Sequence, residues 1–178
     1  LQKLGVTVLT EQSSSESEAL GRVEWIKLFG VLFDKEGEAT RLFNEQKASV
    51  EKTSSLEKPG KTVAYFYINS NGAAVTRRAG DYVAQMIELA GGVYALDSSQ
   101  TESTSGSSLT LEMERFFAMA KDADVVIYNG TIDESVDSMA DFLGKNSLLA
   151  QFKAVKSGNV WVTDADMYQQ MTSTADII

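Results

Sequence analysis

The spacing of hydrophobic and polar positions changes at Pro59-Gly60. Before this turn, apolar residues recur with a helical period, and they predict a helix between about Val23 and Phe33 that is apolar almost all round. A second helix is expected over about 34–55, with Asp34 as its N-cap. The β-branched run Val6–Leu9 predicts a short strand upstream of both helices.

After the turn, short apolar runs alternate with amphipathic stretches. The runs predict four strands, at Val63–Ile68, Val93–Leu96, Val125–Tyr128 and Val160–Val162. Asp81 is expected to cap one of the intervening helices, and Thr110 to cap another that runs through Lys121. Strands that alternate with helices form right-handed βαβ units. We therefore expect an α/β fold, a three-layer Rossmann-like lobe with a mostly parallel sheet, preceded by a long helix.

Ligands of open α/β sheets bind outside the carboxyl ends of the strands. Three segments are expected to form loops at that edge, namely Asn69–Arg78, Asn129–Thr131 and Thr163–Tyr168. The sequence therefore places a candidate ligand site where these three loops meet.

Composition and charge exclude several classes of function. The formal charge of −9 makes binding of nucleic acid through a broad basic surface unfavourable. The chain contains no cysteine and no histidine, which excludes a disulfide, a thiolate metal site and a Ser-His-Asp triad. No apolar stretch approaches the roughly 20 residues that a membrane helix needs.

Five residues in or beside the three loops are candidates for ligand binding. Arg77 and Arg78 suit carboxylates, phosphates and anionic chelates, because guanidinium groups bind such groups through paired hydrogen bonds. Tyr128, Asn129 and Tyr168 offer polar groups, and the tyrosines add an apolar ring face. The alternative interpretation is structural: the two arginines would be solvated on a surface loop, and Tyr128 would be buried in the core. No residue is expected to coordinate a metal directly, and no cofactor is expected.

Acidic residues around two strands leave an enzymatic function open. They are Asp122, Asp124, Asp133, Glu134, Asp164 and Asp166. Such carboxylates could hold Mg²⁺ in a small α/β phosphohydrolase. Asp122 and Asp133 equally fit helix ends and caps, and the chain has no glycine-rich phosphate loop. A regulatory or interaction domain of flavodoxin-like build is the third alternative.

Several segments together resemble the solute-binding proteins of ABC transporters for iron siderophores, heme and cobalamin. They are Leu20–Lys27 with Gly30, Asp34–Glu36 with Ala39 and Phe43, Gly80–Tyr82 with Glu88–Gly92, Met113–Phe116 with Ala123–Asn129, and Met167–Gln170. Their order and spacing make the resemblance more specific than any one segment, and it extends over almost the whole chain.

The resemblance implies two α/β lobes that are bridged by one long helix, with the ligand between them. Residues 1–34 would end the N-terminal lobe, 35–57 would form the interlobe helix, and 58–178 would form the C-terminal lobe. The implied function is that of an extracytoplasmic substrate-binding component, periplasmic or lipid-anchored on the outer face of the cell membrane. Its ligand would be a metal chelate of the siderophore, heme or cobalamin type, and the protein would not be an enzyme.

The resemblance also implies partners. Glu114 matches the glutamate with which the C-terminal lobe docks on arginines of the membrane permease. Because a whole member of this family is roughly twice as long, the face of Trp25, Phe29 and Phe33 would lack its neighbouring lobe in this chain. We therefore also predict self-association, or swapping of the N-terminal segment.

Overall fold

The computed structural model describes residues 2–96 and 107–167. Its helices are α1 (Ala19–Leu32), α2 (Glu36–Ser54), α3 (Tyr82–Leu89), α4 (Met113–Ala120), α5 (Met139–Lys145) and α6 (Lys153–Lys156). Its strands are β1 (Thr62–Ile68), β2 (Ala74–Arg77), β3 (Val93–Tyr94), β4 (Ser108–Leu111), β5 (Val125–Tyr128) and β6 (Val160–Val162). No helix within these two ranges has both the length and the apolar composition that crossing a membrane requires.

The sheet is built around β1, which pairs with three other strands. The strand order is β4-β2-β1-β5-β6, and β3 pairs with the first residues of β1. Strands β1, β3, β5 and β6 run parallel, whereas β2 is antiparallel to both β1 and β4. The expected α/β class is confirmed, but the sheet is mixed rather than mostly parallel, because part of the segment expected as the loop Asn69–Arg78 forms the antiparallel strand β2. Asn69 closes the turn before it by accepting hydrogen bonds from the backbone of Asn71 and Ala73.

Helices cover both faces of the sheet. On one face, the buried ring of Phe66 lies 4.5 Å from that of Phe116 on α4 and 6.4 Å from that of Phe142 on α5, measured between centroids. Alternate strand residues point to opposite faces, so Val63 points away from this cluster. Val63 and Ile87 both approach Gly92, which places α3 on the opposite face. The three-layer arrangement is therefore present.

Helices α1 and α2 form a tightly packed hairpin whose closest approach is at Gly30. A β-carbon built on Gly30 would lie 2.6 Å from the β-carbon of Ala39 and 3.2 Å from the carbonyl oxygen of Lys35. Only glycine fits this contact without movement of a neighbour. The 19 residues of α2 span about 28 Å at 1.5 Å per residue, which agrees with the long helix expected from the sequence.

Helix α1 is also attached to α3. The backbone amide of Ala19 donates a hydrogen bond to Oε1 of Gln85 at 2.6 Å, and the Gln85 side chain also contacts Glu18. The guanidinium carbon of Arg22 lies 4.0 Å from the centroid of the Tyr82 ring. The helix that precedes α2 in the chain therefore packs on the lobe that follows it.

Of the three helix caps predicted from the sequence, one is confirmed and two are wrong. Asp81 caps α3 as expected, accepting a hydrogen bond from the Val83 amide at 3.0 Å. Asp34 is not a cap; it has a positive φ of 57° in the turn between the helices, and Lys35 occupies the N-cap position. Thr110 lies within β4, where pairing with β2 takes precedence over a helix start, so α4 begins only at Met113. Val6–Leu9 forms no strand and is exposed to solvent.

The apolar face predicted to mediate self-association is partly exposed. Phe33 is 71% exposed at the end of α1, with Val31 and Leu32 beside it, whereas Trp25 and Phe29 are half-buried. Self-association itself stays a prediction.

Replacing Gly30 by alanine should destabilise the helical hairpin. The added methyl group would clash with Ala39, and overpacking of this kind typically costs 1–3 kcal/mol. Gly37→Ala is the matched control, because Gly37 also lies in a helix but has no atom within 4 Å of its built β-carbon. Both substitutions gain helix propensity, so the difference between their unfolding free energies in urea isolates the clash. Equal stabilities would show that the hairpin does not need a glycine here.

Candidate functional site at the strand ends

The carboxyl ends of three parallel strands meet at one edge of the sheet. Phe66 of β1 is opposite Tyr128 of β5, and Tyr128 is opposite Val162 of β6. The residues that follow, Asn129 and Thr163, donate their backbone amides to carbonyls of Phe66 and Tyr128 at 2.8 and 3.0 Å. The sheet ladder thus continues one step into both loops and fixes where they begin.

The turn after β5 is pressed against the segment after β6. A β-carbon built on Gly130 would lie 2.3 Å from the carbonyl oxygen of Thr163 and 2.7 Å from Cγ1 of Val162. Thr131 adds three polar contacts. Its hydroxyl donates to the carbonyl of Asp164 at 2.7 Å and lies 3.3 Å from the hydroxyl of Thr163, and its amide lies 3.4 Å from that same hydroxyl. Two of the three loops expected at this edge are therefore joined to each other.

A small cavity of about 90 Å³ opens beside these strand ends. It is lined by Tyr65, Tyr67, Val75, Thr76, Arg77, Ser108, Asn129 and Ile132. Two predicted site residues, Arg77 and Asn129, are thus brought to the same cavity. The two tyrosines of the cavity, Tyr65 and Tyr67, were not among the predicted site residues, although strand alternation places them on the same face of β1.

The charge of Arg77 is shared with a carboxylate. Its Nη1 lies 3.6 Å from Oδ2 of Asp81 and donates a hydrogen bond to the hydroxyl of Ser107 at 3.1 Å. Burial raises the pKa of Asp81 above its ordinary value, although the Val83 amide and the charges of Arg77 and Arg22 act in the opposite direction. An anion that binds Arg77 would therefore share it with Asp81.

Arg78 and Asn129 differ in exposure. Arg78 is half-buried directly after β2, and its backbone amide donates to the carbonyl of Ser107 at 3.0 Å. Asn129 is 2% exposed and is among the few polar residues buried within the described part of the chain. Its backbone amide is bonded to the carbonyl of Phe66, so Asn129 adds a buried polar side chain to the cavity wall directly after β5.

Tyr128 lies in the core and does not line the cavity. Its ring packs edge-on against Phe66 and Phe142, on the face of the sheet that carries α4 and α5. Its hydroxyl donates to Oδ2 of Asp133 at 2.5 Å and accepts a hydrogen bond from the Ile68 amide at 3.2 Å. Its direct contact with a ligand stays a prediction. In the structure, Tyr128 lies behind the turn that follows β5 and is bonded to it through Asp133.

Asp133 accepts hydrogen bonds from three side chains. Besides Tyr128, the ammonium group of Lys145 lies 2.5 Å from Oδ2, and the hydroxyl of Ser135 lies 2.6 Å from Oδ1. Burial acts to raise the pKa of Asp133, but these three hydrogen bonds outweigh it and lower the pKa to about 2. Asp133 is therefore ionised at any physiological pH, and its contact with Lys145 is a true ion pair.

Glu114 and Tyr168 are the two remaining residues predicted from the sequence. Glu114 is exposed in the first turn of α4, at the same edge of the sheet as the strand-end turns. Tyr168 lies outside the described residues.

The opposite edge of the sheet carries a larger groove, of about 630 Å³. It is lined by Phe117, Lys121, Asp122, Gln151, Lys153, Lys156 and Ser157. Two of its lysines already pair with carboxylates, Lys121 with Asp122 at 2.8 Å and Lys153 with Asp124 at 2.6 Å. We therefore place the candidate site at the carboxyl ends of the strands, where the groups converge.

The aspartates that left a magnesium enzyme open do not converge. Asp124 precedes β5 and accepts a hydrogen bond from the Thr62 amide at the amino-terminal edge, whereas Asp133 follows β5 at the carboxyl-terminal edge. Within residues 2–96 and 107–167, no three acidic side chains lie close enough together to hold a metal ion.

Gly130→Ala should separate the turns after β5 and β6. The new methyl group has no room between Thr163 and Val162, so we expect a loss of about 1–3 kcal/mol in unfolding free energy. Gly80→Ala is the control, because Gly80 is also outside the helices and has no atom within 4 Å of its built β-carbon. Chemical denaturation measures both variants. A Gly130→Ala protein as stable as the control would mean that the turns tolerate separation.

Comparison with known proteins identifies relatives over nearly the whole chain. The family described as periplasmic binding protein matches residues 1–167. An uncharacterized lipoprotein of Methanocaldococcus jannaschii is 31% identical over 171 residues, which cover 94% of this chain. The chain spans 39% and 49% of the lengths of the two curated relatives that it matches.

Solved structures share the fold at lower identity. The periplasmic heme-binding protein of Vibrio cholerae superposes with a TM-score of 0.77 at 18% identity, over 99% of this chain and 67% of that one. A protein of the Fe³⁺-hydroxamate transport system of Saccharomonospora viridis gives 0.72 at 16% identity, over 98% and 63%.

Proposed function

The chain belongs to the periplasmic binding protein family, and from this premise we propose that it forms part of the substrate-binding component of an ABC importer for metal chelates. The observation that carries the proposal is the extent of the family match, which includes every helix and strand described above. Family membership also makes the chain extracytoplasmic. The name of the Methanocaldococcus relative, a lipoprotein, supports a lipid anchor for the whole protein.

The size of the cavity supports a ligand held between two lobes. Pockets that enclose a small molecule usually measure about 300–1,000 Å³. The 90 Å³ beside β1 and β5 is too small for a whole chelate, but it suits one edge of a ligand whose remainder contacts another wall. In this proposal α2, within the expected interlobe segment 35–57, connects the two walls.

The chemistry of the wall supports a preformed chelate over a bare metal ion. The whole chain has no histidine or cysteine, the residues that bind soft transition metals best. Arginine, asparagine and tyrosine recognise instead the carboxylate, hydroxamate or propionate groups at the rim of a chelate. The heme-binding and Fe³⁺-hydroxamate proteins that share the fold are consistent with a siderophore, heme or cobalamin type of ligand.

We assign three described residues to direct ligand contact. Arg77 and Asn129 line the cavity. Arg78 follows the antiparallel strand β2 and is not among the residues that line the cavity, so it is proposed on the basis of the sequence. Tyr168 is proposed as a fourth contact on the basis of the sequence. Glu114 is proposed to dock on an arginine of the permease, because it is exposed at the same edge of the sheet as the ligand site.

Thermal unfolding with hemin, ferrichrome and cyanocobalamin tests the ligand class. A ligand at 100 times its Kd should stabilise the protein by about 2.7 kcal/mol, and Arg78→Ala should reduce that gain by about 1.4 kcal/mol if it weakens binding tenfold. Arg41→Ala is the control, since Arg41 is exposed on α2 and pairs only locally, with Glu45. The test should use the full-length product of the gene.

Three outcomes separate the parts of this proposal. Stabilisation by one chelate that Arg78→Ala alone weakens supports both the function and the site. Stabilisation that Arg78→Ala leaves intact supports the function and removes Arg78 from the site. The function itself is refuted if none of the three chelates stabilises the protein.

Replacing Glu114 by glutamine should impair docking but not ligand binding. We expect ATP hydrolysis by the reconstituted importer to respond at least several-fold less to the variant, with an unchanged ligand Kd, because a rim charge acts mainly on association. Glu38→Gln is the control, as Glu38 is another exposed carboxylate in the first turn of a helix. Equal stimulation by both variants would remove Glu114 from the docking surface.

A further inference from the structure

The turn between β5 and α5 is held by contacts on two sides. On one side, Thr131 binds the segment after β6 through the hydroxyl of Thr163 and the carbonyl of Asp164. On the other side, Asp133 binds the ammonium group of Lys145, the last residue of α5. We name residues 129–135 with these two sets of contacts the clamped turn.

The Asp133 side of the clamped turn is the more heavily bonded one. Lys145 also donates to the hydroxyl of Ser135 at 2.6 Å, and Ser135 donates in turn to Asp133. Tyr128 extends the network to the last residue of β1, because its hydroxyl accepts the Ile68 amide. One carboxylate thus connects the ends of β1 and β5 with the far end of α5.

Ile132 is exposed between the two sets of contacts. It is 52% exposed and lines the cavity that also contains Asn129 and Arg77. Its amide and that of Asp133 both approach the carbonyl of Asn129, at 3.3 and 3.2 Å, so the backbone under it is compact. An exposed isoleucine on a backbone restrained from both sides is well suited to make an apolar contact in a defined place.

We propose that Lys145, acting through Asp133, is a positioning residue that holds Ile132 and Asn129 in the geometry that contacts the ligand. This inference rests on the proposed function and goes beyond it, because Lys145 touches neither the cavity nor the strand ends directly. The clamped turn is preorganised, so binding does not have to order it. Ile132 supplies an apolar surface beside the arginines, which suits the hydrocarbon part of a chelate with anionic groups at its rim.

The chain offers a control for the Lys145 ion pair that matches it in distance but is more exposed, with the Lys153 side chain 58% exposed and that of Lys145 23%. Lys153 pairs with Asp124 at 2.6 Å, compared with 2.5 Å for Lys145 and Asp133, but it lies at the opposite edge of the sheet. Lys145→Met and Lys153→Met each remove one lysine–aspartate pair and keep the aliphatic side chain. Any general effect of losing an ion pair should appear in both variants, whereas an effect on ligand contact should appear only at Lys145.

The experiment measures the Kd for whichever of hemin, ferrichrome and cyanocobalamin stabilises the protein, by titration calorimetry. We expect Lys145→Met to weaken binding about tenfold, Lys145→Arg to restore most of it, and Lys153→Met to leave it unchanged. Ile132→Ser should weaken binding without lowering the thermal midpoint, because the side chain is half exposed. The inference is overturned if Lys145→Met binds as tightly as the wild type, or if Lys145→Met and Lys153→Met lose affinity equally.

Hydrogen exchange tests the clamped turn without any ligand. The amides of Ile132 and Asp133 should exchange at least tenfold faster in Lys145→Met and at the wild-type rate in Lys153→Met. If no chelate binds the wild-type protein, the proposed function fails, and exchange alone then decides the inference. Unchanged exchange in Lys145→Met would show that the ion pair does not hold the turn.

Discussion

The packing of Phe66 against rings from α4, α5 and the N-cap of α6 is the contact on which the site depends. Its ring lies within 6.4 Å of the rings of Phe116, Phe142 and Phe152, and it is fully buried. This fixes β1 against α4 and α5, and the register of Phe66 with Tyr128 then fixes β5. Because the backbone after Tyr128 has to follow that register, an apolar contact in the core determines where Asn129 and Ile132 emerge at the edge. The side chains at the edge of the sheet are therefore positioned by the core packing of the strand residues that precede them.

The sequence predicted those parts of the fold whose signals are local. Continuous apolar runs marked β1 and β5, and Asp81 marked the start of α3, since caps and buried strands depend on nearby residues. The antiparallel strand β2 was missed, because its alternation is only four residues long and its pairing with β4 is supplied by the tertiary fold. At the site, Arg77 and Asn129 were found from strand-end positions. The pair of Asp133 and Lys145 could not be found, because it is created by the path of α5.

Charge at the site is balanced within the protein before any ligand arrives. Arg77 forms an ion pair with Asp81, and Lys145 forms one with Asp133. The charges of these four side chains therefore cancel, although the whole chain has a formal charge of −9. A chelate with acidic groups would compete with Asp81 for Arg77, and the carboxylate of Asp81 would then retain its hydrogen bond from the Val83 amide.

The attachment of α1 to α3 has a mechanical consequence. With Ala19 bonded to Gln85, Arg22 placed over Tyr82 and Gly30 pressed on Ala39, three successive helices behave as one braced frame. A long helix that was held only at one end could tilt relative to its neighbours. Here α2 packs side by side with α1, and this packing resists bending. Torque from any part of the protein that precedes this frame has to be absorbed ahead of Ala19, in the exposed segment there. If α2 connects the two walls of a binding cleft, as proposed above, their relative motion would be small, because this helix cannot bend independently of α1 and α3.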